Sequence, residues 1–309
     1  MFSVKTKLLV GLGSTEDGFT DSIEIIDLSS PNTTCKNLPN FPQTLEKPFG
    51  GLGFQDRPNI CGTEDDTYNQ TNKCYSLEGK EWTYLSGLNI SRAWEEDSPS
   101  LYQSLSQAFL RSRSGDLNTT TEDLTEQDWE ETMPQSIPFT FNAFCSVLVN
   151  STTALVIGSL PMHTSSGTFY INLETEVWTE GPFLKNIRES SSCGKIRKNN
   201  SSQDLSIIVV GGWSNWQLAS VEILDQDAEE WRNGPDLPLE MYNAKMVEDQ
   251  NGGVFLVGGH SNGVGPLDTL FQLPHGGADA EWTKMQQKLK VGRSAHVAFL
   301  LPDSIVECS

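Results

Sequence analysis

A chain of 309 residues suffices for two average domains or one large β domain, and 37% apolar residues with eight Trp suffice for a packed core. With 41 acidic residues against 21 basic, a formal net charge of -20, a general grip on nucleic acid is excluded and docking on an anionic membrane disfavoured, because both need clustered Lys and Arg. No apolar run approaches the roughly 18 residues of a membrane span, and the N-terminal segment lacks a signal-peptide pattern.

The first predicted strand, LLVGLG, ends at Gly11-Leu12, and Cys35 follows it ahead of NLPNFP. The next strand end is Cys61-Gly62 in PNICGTED, followed by Trp82. Arg111-Ser112 with Trp129, and Gly158-Ser159 with Trp178, repeat the arrangement in weaker form. It is clearest at the end of the chain. SIIVV runs into Gly211-Gly212, then VEILD, Trp231 and NGPDLP; VFLV runs into Gly258-Gly259, then Trp282. The strand ends step by 50, 50, 47, 53 and 47 residues, and the Trp column by 47, 49, 53 and 51, with Cys35 lying 47 before Trp82.

Two columns in one phase mark six copies of one unit. The runs between markers are β-branched and of strand length, separated by turn residues, so each unit holds about four short strands. A lone four-stranded sheet leaves two faces to bury, and radial packing solves that. The expected fold is all-β: a single six-bladed β-propeller spanning residues 1–309, of four-stranded antiparallel blades. LLVGLG has second-strand character and GRSAHVAFLLPDS first-strand character, so the C-terminal strand is expected to join the N-terminal blade and close the ring.

Strand, Gly-Gly, strand, Trp and Gly-Pro or Leu-Pro at this spacing resembles the kelch repeat. So does an Arg before the first strand, as in Arg293-Ser-Ala-His296 and in part at Arg92 and Arg188. The resemblance covers the whole chain, is sharpest in the last two units, and extends to the propeller shared by galactose oxidase. It also resembles disulfide-containing secreted kelch propellers of animals, with a Cys before the first Leu-Pro (Cys35) and one at the Gly-Gly position (Cys61).

The six Cys form an even set. Cys145 and Cys193 share a phase of the channel-lining first strand in neighbouring units. Cys61 and Cys74 flank one connection, and Cys35 and Cys308 both belong to the closing blade. Three disulfides on those pairs imply an oxidising compartment; six reduced, buried thiols are the alternative. Sequons at Asn32, Asn69, Asn89, Asn118, Asn150 and Asn200 lend mild support to a secreted glycoprotein.

Catalytic signatures are absent: the four His, at 163, 260, 275 and 296, have no metal-ligand spacing, and no catalytic motif or cofactor site is visible. Asp225-Gln-Asp227 is a weak calcium triplet.

Loops joining second to third strands emerge on the same face as the connections between blades. A partner site is expected there: Trp213, Asn215 and Trp216 in WSNW, His260 and Asn262 in HSNG, and His163. Lys47, Arg92, Arg188 and Arg293 fall at the starts of first strands and would form a partial basic rim able to pair with an acidic peptide; pairing with loop carbonyls or a neighbouring carboxylate is the alternative. The expected function is a non-enzymatic module binding a protein or peptide, monomeric and extracellular. The resemblance offers two alternatives: an intracellular substrate adaptor for ubiquitin ligation, and a sugar-active enzyme of the sialic acid mutarotase type.

Overall fold

Each copy of the repeat folds as one antiparallel sheet. The computed structural model describes residues 6–31, 33, 35–36, 38–45, 48–52, 56–62, 73–87, 142–159, 166–175, 177–201 and 203–308. Four blades run as four-stranded meanders from the centre of the ring outward. They comprise Phe49–Leu52, Pro58–Cys61, Lys73–Glu78 and Glu81–Gly87; Asn142–Leu148, Thr153–Ser159, Ser166–Asn172 and Trp178–Glu180; Ser192–Arg197, Leu205–Val210, Val221–Leu224 and Arg232–Asn233; and Lys245–Glu248, Val254–Val257, Thr269–Leu273 and Thr283–Lys288. In the fifth, Val297–Leu301 pairs with Lys7–Gly11, which pairs with Ile23–Asp27. A strand from each end of the chain thus closes the ring, as the character of the two terminal strands predicts. Five blades lie among the described residues where the period predicts six; the copy containing Trp129 falls in 88–141, outside them.

The core is a series of layers between blades. Val210, Ile223 and Leu237 pack on Leu256, Phe271 and Trp282 across one interface, and Val247 and Phe255 pack on Leu8 and Val10 across the next. The two sequence columns have a physical origin in these interfaces. Trp82, Trp231 and Trp282 donate their ring N–H to the carbonyls of Pro39, Pro182 and Pro235, each in the Leu-Pro or Gly-Pro turn one unit upstream. Trp and Pro recur together because one satisfies the other. The ring nitrogen of Trp178 has no such acceptor among the described residues.

The Gly-Gly column answers a close approach. Gly211 and Gly258 both have φ 58°, and a Cβ there would lie 2.5 Å from the carbonyl oxygen of Met241 or Arg293 in the next blade. The following glycines, Gly212 and Gly259, donate their N–H groups to those same carbonyls. In the closing blade the two positions fall on Leu12 and Gly13, one residue beyond the expected Gly11-Leu12, and Leu12 takes the first at φ 61°, a conformation costly for a side chain and held by its surroundings.

All three expected disulfides are formed. Cys35–Cys308 joins segments from the two ends of the chain, Cys61–Cys74 links directly opposed residues of neighbouring strands, and Cys145–Cys193 joins the innermost strands of adjacent blades with Cα atoms 6.0 Å apart. Such bonds persist in oxidising surroundings. Among the described residues no helix is long and apolar enough to cross a membrane.

Candidate functional site

At one end of the ring, three consecutive blades join their second and third strands through short hairpins. They pair Ser14–Thr15 with Gly18–Phe19, Trp213–Ser214 with Trp216–Gln217, and His260–Ser261 with Gly265–Pro266. Each hairpin leaves a left-handed turn and pairs back onto the segment leading into its own blade's innermost strand, through Ser14 with Ser294, Trp213 with Glu189, and His260 with Tyr242. The loops are therefore anchored at both ends rather than draped over the sheet.

Trp213 and Trp216 have different fates. Trp213 is half-buried and meets the Tyr242 ring edge-on at 5.5 Å, bridging two blades; Tyr242 in turn lies 5.1 Å from the His260 ring. Trp213 and His260 thus brace the hairpins. Asn215 turns the tip at φ 45°, and Trp216 beyond it is 73% exposed. The next hairpin is fixed alongside, because the Asn262 amide donates to Gln217 Oε1, and its Val264 is 66% exposed. Two large apolar side chains therefore stand out on rigid, mutually tied hairpins.

The expected basic rim does not form at the two described arginines. Arg188 is 0% and Arg293 1% exposed. Arg188 donates to the carbonyls of Gly211 and Ser220 and to Glu222 Oε1 at 2.7 Å, and Arg293 donates to those of Leu12 and Ser22 and to Glu24 Oε1 at 2.9 Å. The two networks are equivalent residue for residue. Burial lowers both guanidinium pKa values and the paired glutamates counter it. Each arginine ties the segment leading into its blade's innermost strand to the second and third strands of that same blade. Lys47, Arg92 and His163 lie outside the described residues, as do Asn32, Asn69, Asn89 and Asn118.

The described sequons, at Asn150 and Asn200, are exposed and sit on turns between first and second strands, at the end of the ring opposite the hairpins. Asp225 of the calcium triplet is engaged by Arg232 and Ser206, and the Arg232 hydrogen bond holds its carboxyl below the usual range. Among the described residues no three His, Cys, Asp or Glu side chains gather as metal ligands.

Sequence reasoning missed two groups. Glu222 and Glu24 bear no motif, although both stand two residues beyond a Ser at the start of a third strand. Lys245 was passed over because only the arginine phase was followed. It stands four residues further on, where it heads the innermost strand Lys245–Glu248, half-buried and without an ion pair or hydrogen bond among the described residues. Burial lowers its pKa to about 8. Beside it His296 is fully buried, with neither ring nitrogen hydrogen-bonded, and its pKa lies well below the usual value through burial and the nearby Arg293 and Lys245 cations.

No family model matches the chain, and no curated protein matches it. Its structure is similar to the solved structure of YjhT, at TM-score 0.60 and 11% identity, covering 91% of this chain and 95% of that one. At that identity the likeness is one of fold.

Proposed function

We propose that this chain is a kelch-type, six-bladed propeller acting outside the cell as a non-enzymatic interaction module that binds a protein partner on its hairpin face. One observation carries the reading: Trp216, 73% exposed, at the tip of a braced hairpin and tied to the neighbour that exposes Val264. An exposed indole carried on an anchored backbone offers a large contact area while the loop itself has little freedom left to lose on binding. The location of the exposed sequons supports the polarity. Glycans on Asn150 and Asn200 would crowd the opposite end and leave the hairpins clear. The three disulfides support an extracellular setting over the intracellular adaptor reading.

The test is saturable binding of the fluorescently labelled, disulfide-intact protein to cells of its source tissue, compared with Trp216→Ala and Asn200→Gln variants. The reading predicts loss of high-affinity binding in the first and retention in the second. Equal binding by all three would dismiss the hairpin face.

A further inference from the structure

The chain contains three Asn-Gly steps, at Asn233-Gly234, Asn251-Gly252 and Asn262-Gly263. Such a step can modify itself: the glycine nitrogen attacks the carbonyl carbon of the asparagine side chain, and no Cβ crowds the approach. In all three the asparagine is exposed, so access of water does not separate them. The state of the attacking nitrogen does.

Gly234 donates its N–H to the Val221 carbonyl of its own blade at 2.8 Å, and Gly252 donates to the Asp249 carbonyl at 2.9 Å. The Asn251 side chain is held as well, donating to Asp249 Oδ1 at 3.3 Å. Either step must first break the bonds that hold it before it can react. Gly263 differs. Its N–H has no acceptor among the described residues, and the Asn262 side chain has no hydrogen bond among them.

The hairpin isolates this one peptide bond. On one side the Asn262 N–H is tied to Gln217 Oε1 at 3.0 Å, and on the other the Val264 N–H is tied to the Ser261 carbonyl at 3.1 Å. Gly263 stands between them at φ 81°, with no atom within 4 Å of where a Cβ would lie. The reacting atoms sit in open solvent on a frame fixed at both sides.

We propose that Asn262 is a site of spontaneous deamidation on the hairpin face. The Gly263 nitrogen, losing its proton to base in the solvent, bonds to Asn262 Cγ; the Cγ–Nδ2 bond breaks and ammonia leaves, giving a five-membered imide. Water then adds to either imide carbonyl and opens the ring, to aspartate or to isoaspartate. Both products add a negative charge beside the exposed Val264, and isoaspartate also lengthens the main chain by a carbon within the turn. The reaction needs only water, and it stands whether or not the hairpin face binds a partner.

The experiment incubates the disulfide-intact protein in warm, mildly alkaline buffer and samples it over time. Samples are digested at acidic pH, and aspartate and isoaspartate are quantified at each Asn-Gly step by electron-transfer mass spectrometry. A reduced, alkylated sample in guanidinium chloride runs in parallel. Expected in the folded protein is conversion at Asn262 about tenfold or more faster than at Asn233 and Asn251, the factor that one hydrogen bond kept until local opening supplies. In the unfolded chain the three rates should agree within about threefold, because the hydrogen bonds that separate them are gone. Asn262→Gln should reduce conversion at that position to background and leave the other two rates unchanged. Conversion at Asn262 equal to or slower than that at Asn233 or Asn251 in the folded wild type overturns the proposal.

Discussion

The 192–233 and 245–288 blades answer the same packing problem in opposite ways. Four residues before the innermost strand, one places Arg188 and the other Met241; on the third strand, one places Glu222 and the other Phe271. All four side chains are buried. The ion pair and the apolar pair are thus alternatives for one slot, and they change together. The arginine there is a packing device, exchangeable with a hydrophobe only when its glutamate leaves too. A cation without an ion pair among the described residues, as at Lys245, therefore stands out against its equivalents.

The most severe way to break this comparison is to remove one partner. Arg188→Met strands Glu222 without its cation, and chemical denaturation should show a loss of about 3–5 kcal/mol. The double variant Arg188→Met/Glu222→Phe, copying the neighbouring blade, should recover much of it. It should fall short by about 1–3 kcal/mol, because Glu222 also accepts the Lys185 and Asn186 amides. Equal stability of the single and double variants would end the exchange argument.

The closing blade differs from both in being joined from two ends of the chain, so its seal should matter. Replacing Cys35 and Cys308 by Ser should cost about 2–5 kcal/mol in non-reducing denaturation, measured against the disulfide-intact wild type.

Lys245 sharpens the contrast through pH. Its folded pKa, lowered to about 8, lies below the unfolded value near 10.5, so the unfolded state holds the proton more tightly between them. Stability from this group is full above about pH 10.5 and lost as pH falls through about 8. Lys245→Met should be the more stable form at pH 7, on the order of 2 kcal/mol after allowing for solvent contact, and the two should converge near pH 10.5. His296, also lowered, favours unfolding as pH falls below 6.5, so acid should destabilise the wild type more than His296→Asn. A smaller effect belongs to the Trp column. Trp282→Phe removes the bond to Pro235 and should cost about 1 kcal/mol.

The fold was legible because its columns are themselves interactions. Trp and Pro mark donor and acceptor, and the glycines mark where one blade's backbone meets the next blade's carbonyl. The cysteine pairings were legible because phase in a repeat fixes which strands adjoin. The fates of side chains at the site were not. Trp213 and Trp216 are three residues apart in one loop, and only the Tyr242 ring, supplied by another blade, decides which is braced and which stands free. Arg188 and Arg293 looked like a rim because their glutamates lie on distant strands, 34 and 269 residues away, with no motif of their own.

Trp216→Ala should shift stability by less than about 0.5 kcal/mol, as an exposed side chain away from the core, and so leaves a clean probe of function. The most direct measurement keeps Trp216 and places a photo-cross-linking residue at position 264 on the neighbouring hairpin or, on the opposite end, at position 200. Both proteins are irradiated in extracellular fluid of the native source, and the adducts are identified by mass spectrometry. The account predicts one discrete protein adduct at 264 that unlabelled wild type competes away, and none at 200. Adducts formed only at 200, or equally and without competition at both, would contradict it.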